Sequence, residues 1–327
     1  MMNHKIISTP KLPLPILSLQ ITQGCNLSCI HCDFQRGFRE NKNSRPLHMS
    51  SDLFENVLGQ YARYEQKSEK YITLSVGGEP MFHPQFLGLA KRVDIAGINF
   101  GFDTNATKLD IPTIKALLEM FSFKRIIFSI DGASSKVYES IRVGAKLEQV
   151  KANVLNFLRL AQEYGRTDII SRVNMVLQQQ NQEEANDIIE FWTPKVAQVN
   201  ISVLRVGTKF VNPNWMPDKR VACNFPTDYM RVLTDGNVVV CVIDDNYVSK
   251  LGSLKDNSLE NIWNGLEYQN LRTAHNNSNY GYLPICKDCD AWAGRFQANE
   301  HKQFSPTISL GIRPANLIAF QAKQKPL

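Results

Sequence analysis

Leu17-Ser18-Leu19-Gln20-Ile21-Thr22-Gln23-Gly24-Cys25-Asn26-Leu27-Ser28-Cys29-Ile30-His31-Cys32 joins a short strand-like run to three cysteines packed into eight positions. The run 17–22 is apolar and short enough for a strand, and the cysteines begin just beyond it. Outward from this stretch, strand candidates recur at 71–76, 98–103, 125–130, 169–177 and 199–206. Amphipathic helical stretches lie between them at 52–64, 84–95, 111–121, 147–164 and 183–192. In the first of these, Leu53, Phe54, Val57, Leu58 and Tyr61 fall at helical spacing. The stretch 111–121 follows Asp110 as a cap, with Pro112 in its first turn. Repeated strand–helix units imply a parallel sheet with helices outside. A closed eight-unit barrel takes about 250 residues, more than this region holds. The expected fold is therefore α/β: a partial (β/α)6 TIM-like barrel over 17–206, led by an N-terminal surface arm over 1–16.

After Gly207 the pattern changes. The Pro- and Asn-rich segment 210–226 reads as a loop. Runs at 229–234 and 238–243 flank Asp235-Gly236-Asn237, a hairpin signal that puts Cys241 on the returning strand. A helix is expected over 258–272, carried by Leu259, Ile262, Trp263, Leu266 and Leu271. The second domain is thus a small hairpin-plus-helix unit over 207–299, and a polar tail, mildly apolar at 317–320, fills 300–327.

Composition narrows the class. Of the 327 residues 43% are hydrophobic and 21% charged, ordinary for a chain with a real core. The net charge of +6 is spread along the chain with no basic stripe, which argues against nucleic acid as a partner. No window of about 18 apolar residues is present, so no membrane span is expected. Pro10, Pro13 and Pro15 interrupt the N-terminal segment, which lacks the continuous apolar core of an export signal. The expected compartment is the cytoplasm, where disulfides are rare. The seven cysteines then point to metal or catalysis.

They divide into Cys25, Cys29 and Cys32 on one loop, and a dispersed set of Cys223, Cys241, Cys286 and Cys289. In a parallel barrel the loops after strands form the functional face. Three thiolates there can hold three irons of a cubane cluster and leave the fourth open, as a catalytic metal needs. The competing reading is a zinc site completed by His31. Four thiolates in the second set can close either a [4Fe–4S] cluster or a tetrahedral zinc site, and spacing does not separate the two.

The segment Cys25-Asn26-Leu27-Ser28-Cys29-Ile30-His31-Cys32 resembles the CxxxCxxC signature of radical S-adenosylmethionine (SAM) enzymes. Gly77-Gly78-Glu79-Pro80, ending the second strand candidate, is similar to that family's GGEP motif, which holds the amino group of SAM's methionine part. Thr104-Asn105-Ala106 resembles its TNG-type turn, and Ser129-Ile130-Asp131-Gly132 its SxDG segment. The resemblance thus implies cofactor contacts at Gly77, Gly78, Glu79, Pro80, Asn105, Ser129, Arg142 and His31. The spacing Cys223-x12-Gly236-x4-Cys241, with Leu251-Gly252-Ser253-Leu254 and Ser258 to Trp263, looks like the C-terminal SPASM/twitch region of the same enzymes. A full SPASM region carries seven cysteines, whereas this chain has four there and none after Cys289, as in the single-cluster twitch form. The resemblance covers about residues 17–295 and implies SAM and two [4Fe–4S] clusters, one binding SAM and one auxiliary.

It also implies a reaction. A reductant such as flavodoxin or ferredoxin would feed the first cluster, and a 5′-deoxyadenosyl radical would remove a hydrogen atom from an unreactive C–H bond. In twitch relatives the outcome is oxidation of an alcohol in an aminocyclitol. The preferred expectation is oxidation of a small hydroxyl-bearing, sugar- or cyclitol-like molecule through the auxiliary cluster. Alternatives are modification of a ribosomal peptide or protein side chain, epimerisation, or a non-catalytic iron–sulfur or zinc protein for electron transfer or binding. Arg205, at the end of the sixth strand candidate, is a candidate substrate contact, with a surface salt bridge as the competing reading. Arg172 and Asn174 share one face of the fifth strand and suggest either a ligand-lined lumen or a salt bridge at the barrel rim. Asp244, Asp245 and Tyr247 are weaker candidates for facing the cavity, because acidic turn residues are usually just solvated.

Overall fold

The computed structural model describes residues 12–32, 47–65, 69–206, 208–210, 219–244 and 248–292. The arm up to residue 11, Gly207, the loop segment 211–218, Asp245, Tyr247 and the 300–327 tail lie outside the described residues.

Strand β1 (Ile16–Leu19) buries Leu17 and Leu19 completely, while Ser18 lines an internal cavity. Helix α1 (Ser51–Arg63) begins where Ser50 accepts the N–H of Leu53, one of the amides a first turn leaves open. It buries Phe54, Val57, Leu58 and Tyr61, the stripe that the helical spacing predicts. There follow β2 (Tyr71–Thr73), α2 (Phe86–Ile95), β3 (Asn99–Thr104), α3 (Ile111–Leu118), β4 (Phe123–Ser129), α4 (Ser135–Ile141), α5 (Leu147–Glu163), β5 (Ile170–Leu177), α6 (Ala185–Trp192) and β6 (Gln198–Val203). Strands β1 to β6 pair in chain order and all in parallel, as expected for a partial barrel.

Alternation along the strands builds two environments. Ile126 and Phe128 on β4, and Val173, Met175 and Leu177 on β5, are buried in the apolar core. Arg125, Ile127 and Ser129 face the lumen and line its cavity. Arg172 and Asn174 stand beside Ile127 and Ser129 in the ladder, on the same side. The core is dense in aromatics: Phe123 stacks on Phe102 at 5.5 Å and meets Phe157 edge-on at 6.3 Å. Such pairs add about 0.5–1.5 kcal/mol each beyond area burial, so α5 is fixed to the outside of β3 and β4.

Beyond β6 the chain forms a short antiparallel hairpin, β7 (Arg205–Val206) with β8 (Lys209–Phe210). Then come α7 (Phe225–Asp228), β9 (Tyr229–Val232), β10 (Asn237–Val239), β11 (Lys250–Ser253), α8 (Leu259–Trp263), α9 (Leu266–Asn276) and α10 (Pro284–Lys287). The expected hairpin is present as β9 and β10. It also extends the barrel's own sheet, because β9 pairs in parallel with β1, from Ile16 opposite Tyr229 to Leu19 opposite Val232. Among the described residues the sheet runs β11-β10-β9-β1-β2-β3-β4-β5-β6.

Several expectations need correction. Arg205 does not end the sixth strand; it opens the β7–β8 hairpin after Leu204, whose N–H donates to the Leu177 carbonyl. Cys241 lies beyond β10, which pairs through a register irregularity at Val238/Val239 and ends at Val239. The helix expected over 258–272 is two helices. Gly265 is extended between them, and a side chain there would meet the Asn261 carbonyl at 2.6 Å. Helix α3 stops at Leu118, because Glu119 to Ser122 turn into β4 and leave Phe121 80% exposed. The arm ends inside the fold: Leu14 is buried, and the Pro13 carbonyl accepts the Trp263 indole N–H at 2.8 Å. No helix among the described residues is long and apolar enough to cross a membrane.

Candidate functional site

A cavity of about 470 Å³ opens at the C-terminal ends of the parallel strands and runs down into the lumen. Cys25, Cys29, Cys32 and His31 line its upper wall, with Gly77, Gly78, Glu79, Asn105, Ser129 and Arg142 around them. Of the residues expected at the cofactor site, Pro80 alone does not border this space; it is buried and starts a short 3-10 turn that Glu79 caps. Arg205 also stands outside the lining.

The cysteine loop is held from three sides. Ser28 and Ile30 donate their N–H groups to the carbonyls of Val143 and Ile141, beyond and at the end of α4. Gly24 accepts the Glu79 N–H at 2.8 Å. This approach needs glycine at position 78, where φ is +97° and a Cβ would lie 2.5 Å from the Thr22 carbonyl oxygen. On the third side, the Asn105 amide nitrogen donates to Asn26 Oδ1 at 3.1 Å and stands 3.7 Å from Cys25 Sγ.

Glu79 ties the β2 loop to the end of β3. Its Oε1 accepts from the Thr104 hydroxyl at 2.8 Å and from the Met81 N–H, and its Oε2 accepts the Asn105 N–H at 2.7 Å. A carboxylate has about four acceptor positions, so one stays open toward the cavity. Burial pushes its carboxyl up to about 7, although these hydrogen bonds favour the charged form.

Behind Cys29 is a second charged group. Arg142 donates through Nε to Asp131 at 2.7 Å, and its Nη1 is 4.0 Å from Cys29 Sγ. Burial opposes the guanidinium's charge, but Asp131 together with Cys29 and Tyr138 outweighs it and holds Arg142 above its ordinary value. Asp131 also accepts the Val176 N–H, and His31 Nε2 stands 3.6 Å from its Oδ2. The sequence offers one clue to this network, the SxDG segment; the pairing across α4 has no local signal.

The second cysteine set lies outside the lining, but neighbours of two of its members reach the same cavity. Cys223 precedes α7, Cys241 follows β10, Cys286 lies in α10 and Cys289 just after it. Phe225, two residues after Cys223, and Val242, next to Cys241, line the cavity together with Tyr229. Two arginines not singled out in the sequence brace these turns. Arg231 donates to the Cys241 carbonyl at 2.9 Å, and Arg220 donates to the carbonyls of Cys286 and Lys287.

All seven cysteines are free thiols. Burial pushes Cys25 up to about 11 and Cys241 and Cys286 to about 12, and within each set neighbouring thiols add to the shift. The thiols do not converge on a point: among the described residues no three His, Cys, Asp or Glu side chains surround one ion-sized position. A cubane cluster is wider than an ion and takes a separate thiolate at each corner. Three thiols around an open cavity, with a carboxylate and a guanidinium beside them, fit a cluster whose free corner meets an amino-acid-bearing cofactor. Four enclosed thiols fit a fully ligated one.

Comparison with known proteins gives the same picture. The family model described as the radical SAM superfamily matches residues 19–191, and the iron–sulfur cluster-binding SPASM model matches residues 223–290. The AdoMet-dependent heme synthase of Methanosarcina barkeri is 27% identical over 220 residues, which cover 67% of this chain and 56% of that protein. The tungsten-containing aldehyde ferredoxin oxidoreductase cofactor-modifying protein of Pyrococcus furiosus is 24% identical, covering 84% of this chain and 86% of its own. The crystal structure of BtrN in complex with AdoMet and 2-DOIA shares the fold, with a TM-score of 0.55 at 15% identity, covering 86% of this chain and 94% of that one.

Proposed function

From a chain that belongs to the radical SAM superfamily and carries an iron–sulfur SPASM domain, we propose an oxidoreductase that acts on a small hydroxyl-bearing molecule held in the lumen. One observation carries this reading: a single cavity is lined both by Cys25, Cys29 and Cys32 and by Phe225 and Val242, close in sequence to Cys223 and Cys241. A substrate there lies between the site of hydrogen abstraction and an electron acceptor. The cavity falls in the lower half of the usual range for small-molecule sites, about 300–1,000 Å³, and polar side chains line its depth. When bound, SAM and its cluster supply the 5′-deoxyadenosyl radical that takes a hydrogen atom from the substrate.

The chain's own residues position these partners. Cys25, Cys29 and Cys32 would ligate the SAM cluster; Cys223, Cys241, Cys286 and Cys289 would ligate the auxiliary one. Glu79 and the backbone of Gly77 and Gly78 would accept from the cofactor's ammonium. Arg142 would face its carboxylate, and Ser129, Asn105 and His31 border the same space. The low-potential electron comes from a donor such as flavodoxin or ferredoxin. Domain limits at 17–206 and 207–299, with an arm at 1–16 and a tail at 300–327, remain our working division. A second reading, maturation of a peptide or of another protein's cofactor, is favoured by the high mutual coverage with the cofactor-modifying protein.

The test is anaerobic reconstitution. Wild type is expected to hold about eight irons per chain, falling to about four when Cys25, Cys29 and Cys32 are all replaced by alanine. With SAM and a reductant it should form 5′-deoxyadenosine, and the true substrate should lose two hydrogens as a hydroxyl becomes a carbonyl. An iron-loaded protein that never forms 5′-deoxyadenosine overturns the reading.

A further inference from the structure

Below the level of the cysteine loop, the lumen carries three charged side chains, Asp103, Arg125 and Arg172, that form no ion pair among the described residues. Arg125 lies four residues before Ser129 on the same face of β4, about 13 Å deeper along the strand. Its guanidinium has five N–H donors. Thr73 Oγ1, at 3.3 Å from Nη2, is its one hydrogen-bond partner among the described residues, and Nε is buried with none. The Tyr71 ring lies 5.3 Å from this guanidinium, and its hydroxyl is likewise buried without a partner. Room for that hydroxyl comes from Gly101, where a side chain would meet it at 2.4 Å.

Asp103 and Arg172 complete the group. Asp103 lines the cavity, and its main-chain N–H donates to Ser75 Oγ at 2.9 Å. It stands level with Ile127 in the ladder, as does Arg172. Arg172 donates to the side chain of neutral Gln198. Among the described residues no ion pair joins Asp103 to either arginine, although both guanidiniums act on its charge. Arg231 is on the same side of β9 and bonded to the Cys241 carbonyl, but it is not among the charges that act on Asp103 or Arg172.

A charge that a bound ligand shuts off from water needs a partner from that ligand. Two guanidiniums against one carboxylate leave one positive charge, the complement of a monoanion. A neutral sugar would leave both the charge and the free donors of Arg125 unmet. The planar fork of arginine matches a carboxylate in two parallel hydrogen bonds. Asp103, an acceptor, suits the hydroxyl groups of the same molecule.

We propose that the lumen floor is a carboxylate-binding subsite, with Arg125 gripping the anion, Arg172 and Tyr71 supporting it, and Asp103 accepting from a substrate hydroxyl. The substrate is then a small hydroxylated carboxylic acid. This deepens the oxidoreductase reading and rests on it for the reaction, but not for binding.

The test is calorimetric binding to the reconstituted protein with SAM present, using D-glucuronate and acetate as carboxylate probes and D-glucose as the uncharged counterpart. Wild type is expected to bind glucuronate roughly tenfold or more tightly than glucose, since hydrogen bonds to charged groups are lost in the neutral sugar. Arg125→Gln should abolish that preference and the weaker binding of acetate. Arg125→Lys, which keeps the charge but loses the fork, should retain part of it, and it decides the matter if the glutamine variant does not fold by circular dichroism. Carboxylates that bind wild type no better than glucose, or bind Arg125→Gln and Arg125→Lys as tightly as wild type, overturn the subsite. Wild type that prefers glucuronate but never cleaves SAM overturns the radical reaction and leaves the subsite standing.

Discussion

The Glu79 carboxylate accepts the backbone N–H of Asn105 at 2.7 Å, across the gap between the loops that follow β2 and β3. The same residue is 2% exposed, and burial holds its carboxyl up at about 7. Near pH 7 a fraction of the protein therefore carries a proton there. A cofactor ammonium placed against this group favours the carboxylate and expels the proton. SAM binding should thus release a fraction of a proton near pH 7, less at pH 8.5, where Glu79 is already ionised. Calorimetry in two buffers of different ionisation enthalpy reads this directly. Glu79→Gln should remove the release and weaken SAM binding; an unchanged proton count in that variant would mean that another group titrates.

Arg142 places a guanidinium nitrogen 4.0 Å from Cys29 Sγ and is anchored there by Asp131. A fixed positive charge beside a cluster ligand makes the added electron more favourable. Arg142→Gln should lower the SAM cluster's midpoint potential by on the order of tens of millivolts, the Coulomb effect being partly offset by Asp131. Arg142→Lys should fall between. A redox titration followed by electron paramagnetic resonance measures it, and a potential that does not move assigns Arg142 a packing role only.

The parallel sheet and the cysteine sets were legible because both are local patterns. Strand-length apolar runs separated by helical periodicity are complete within about 30 residues each, and Cys25 to Cys32 is a single loop. What escaped is non-local. The pairing of β9 with β1 joins Tyr229 to Ile16, and no period within either segment encodes that choice. Helix α4 spans seven residues, too short for a stripe, although Ser134 caps it. Asp103 and Arg125 each resemble an ordinary charged residue in sequence, and alternation singled out only Arg172; the register of β3, β4 and β5 puts all three on one side of the sheet. The GGEP motif was recognisable, yet the steric reason for Gly78 depends on the Thr22 carbonyl more than fifty residues away.

That contact yields a sharp contrast between two glycines. At Gly78 a methyl group would lie 2.5 Å from the Thr22 oxygen and 2.9 Å from the Gly24 oxygen, in a backbone conformation of φ +97°. Gly78→Ala must push the cysteine loop away from the end of β2, at a cost above about 1 kcal/mol. We expect iron to fall toward the level of the auxiliary site alone and SAM affinity to drop at least about tenfold. Gly88, inside α2, has nothing within 4 Å of the same position. Gly88→Ala should keep full iron content and gain up to about 1 kcal/mol. Equal iron loss in both variants would point to general instability rather than to the loop contact.

Phe123 and Phe121 are neighbours in sequence with opposite surroundings. Phe123 is fully buried, in ring contact with Phe100, Phe102 and Phe157, whereas Phe121 is 80% exposed with the Lys124 ammonium 4.3 Å from its ring centre. Phe123→Ala removes the ring that joins β3, β4 and α5 and leaves a cavity, which should cost about 3–5 kcal/mol. Phe121→Ala removes only a solvated ring and a surface cation–π contact, a loss within about 1 kcal/mol. Urea denaturation of the anaerobic protein compares the two midpoints. Similar midpoints would mean that the aromatic cluster behind the lumen is not what holds α5 to the sheet, and the support of Arg125 and Ser129 from behind would need another source.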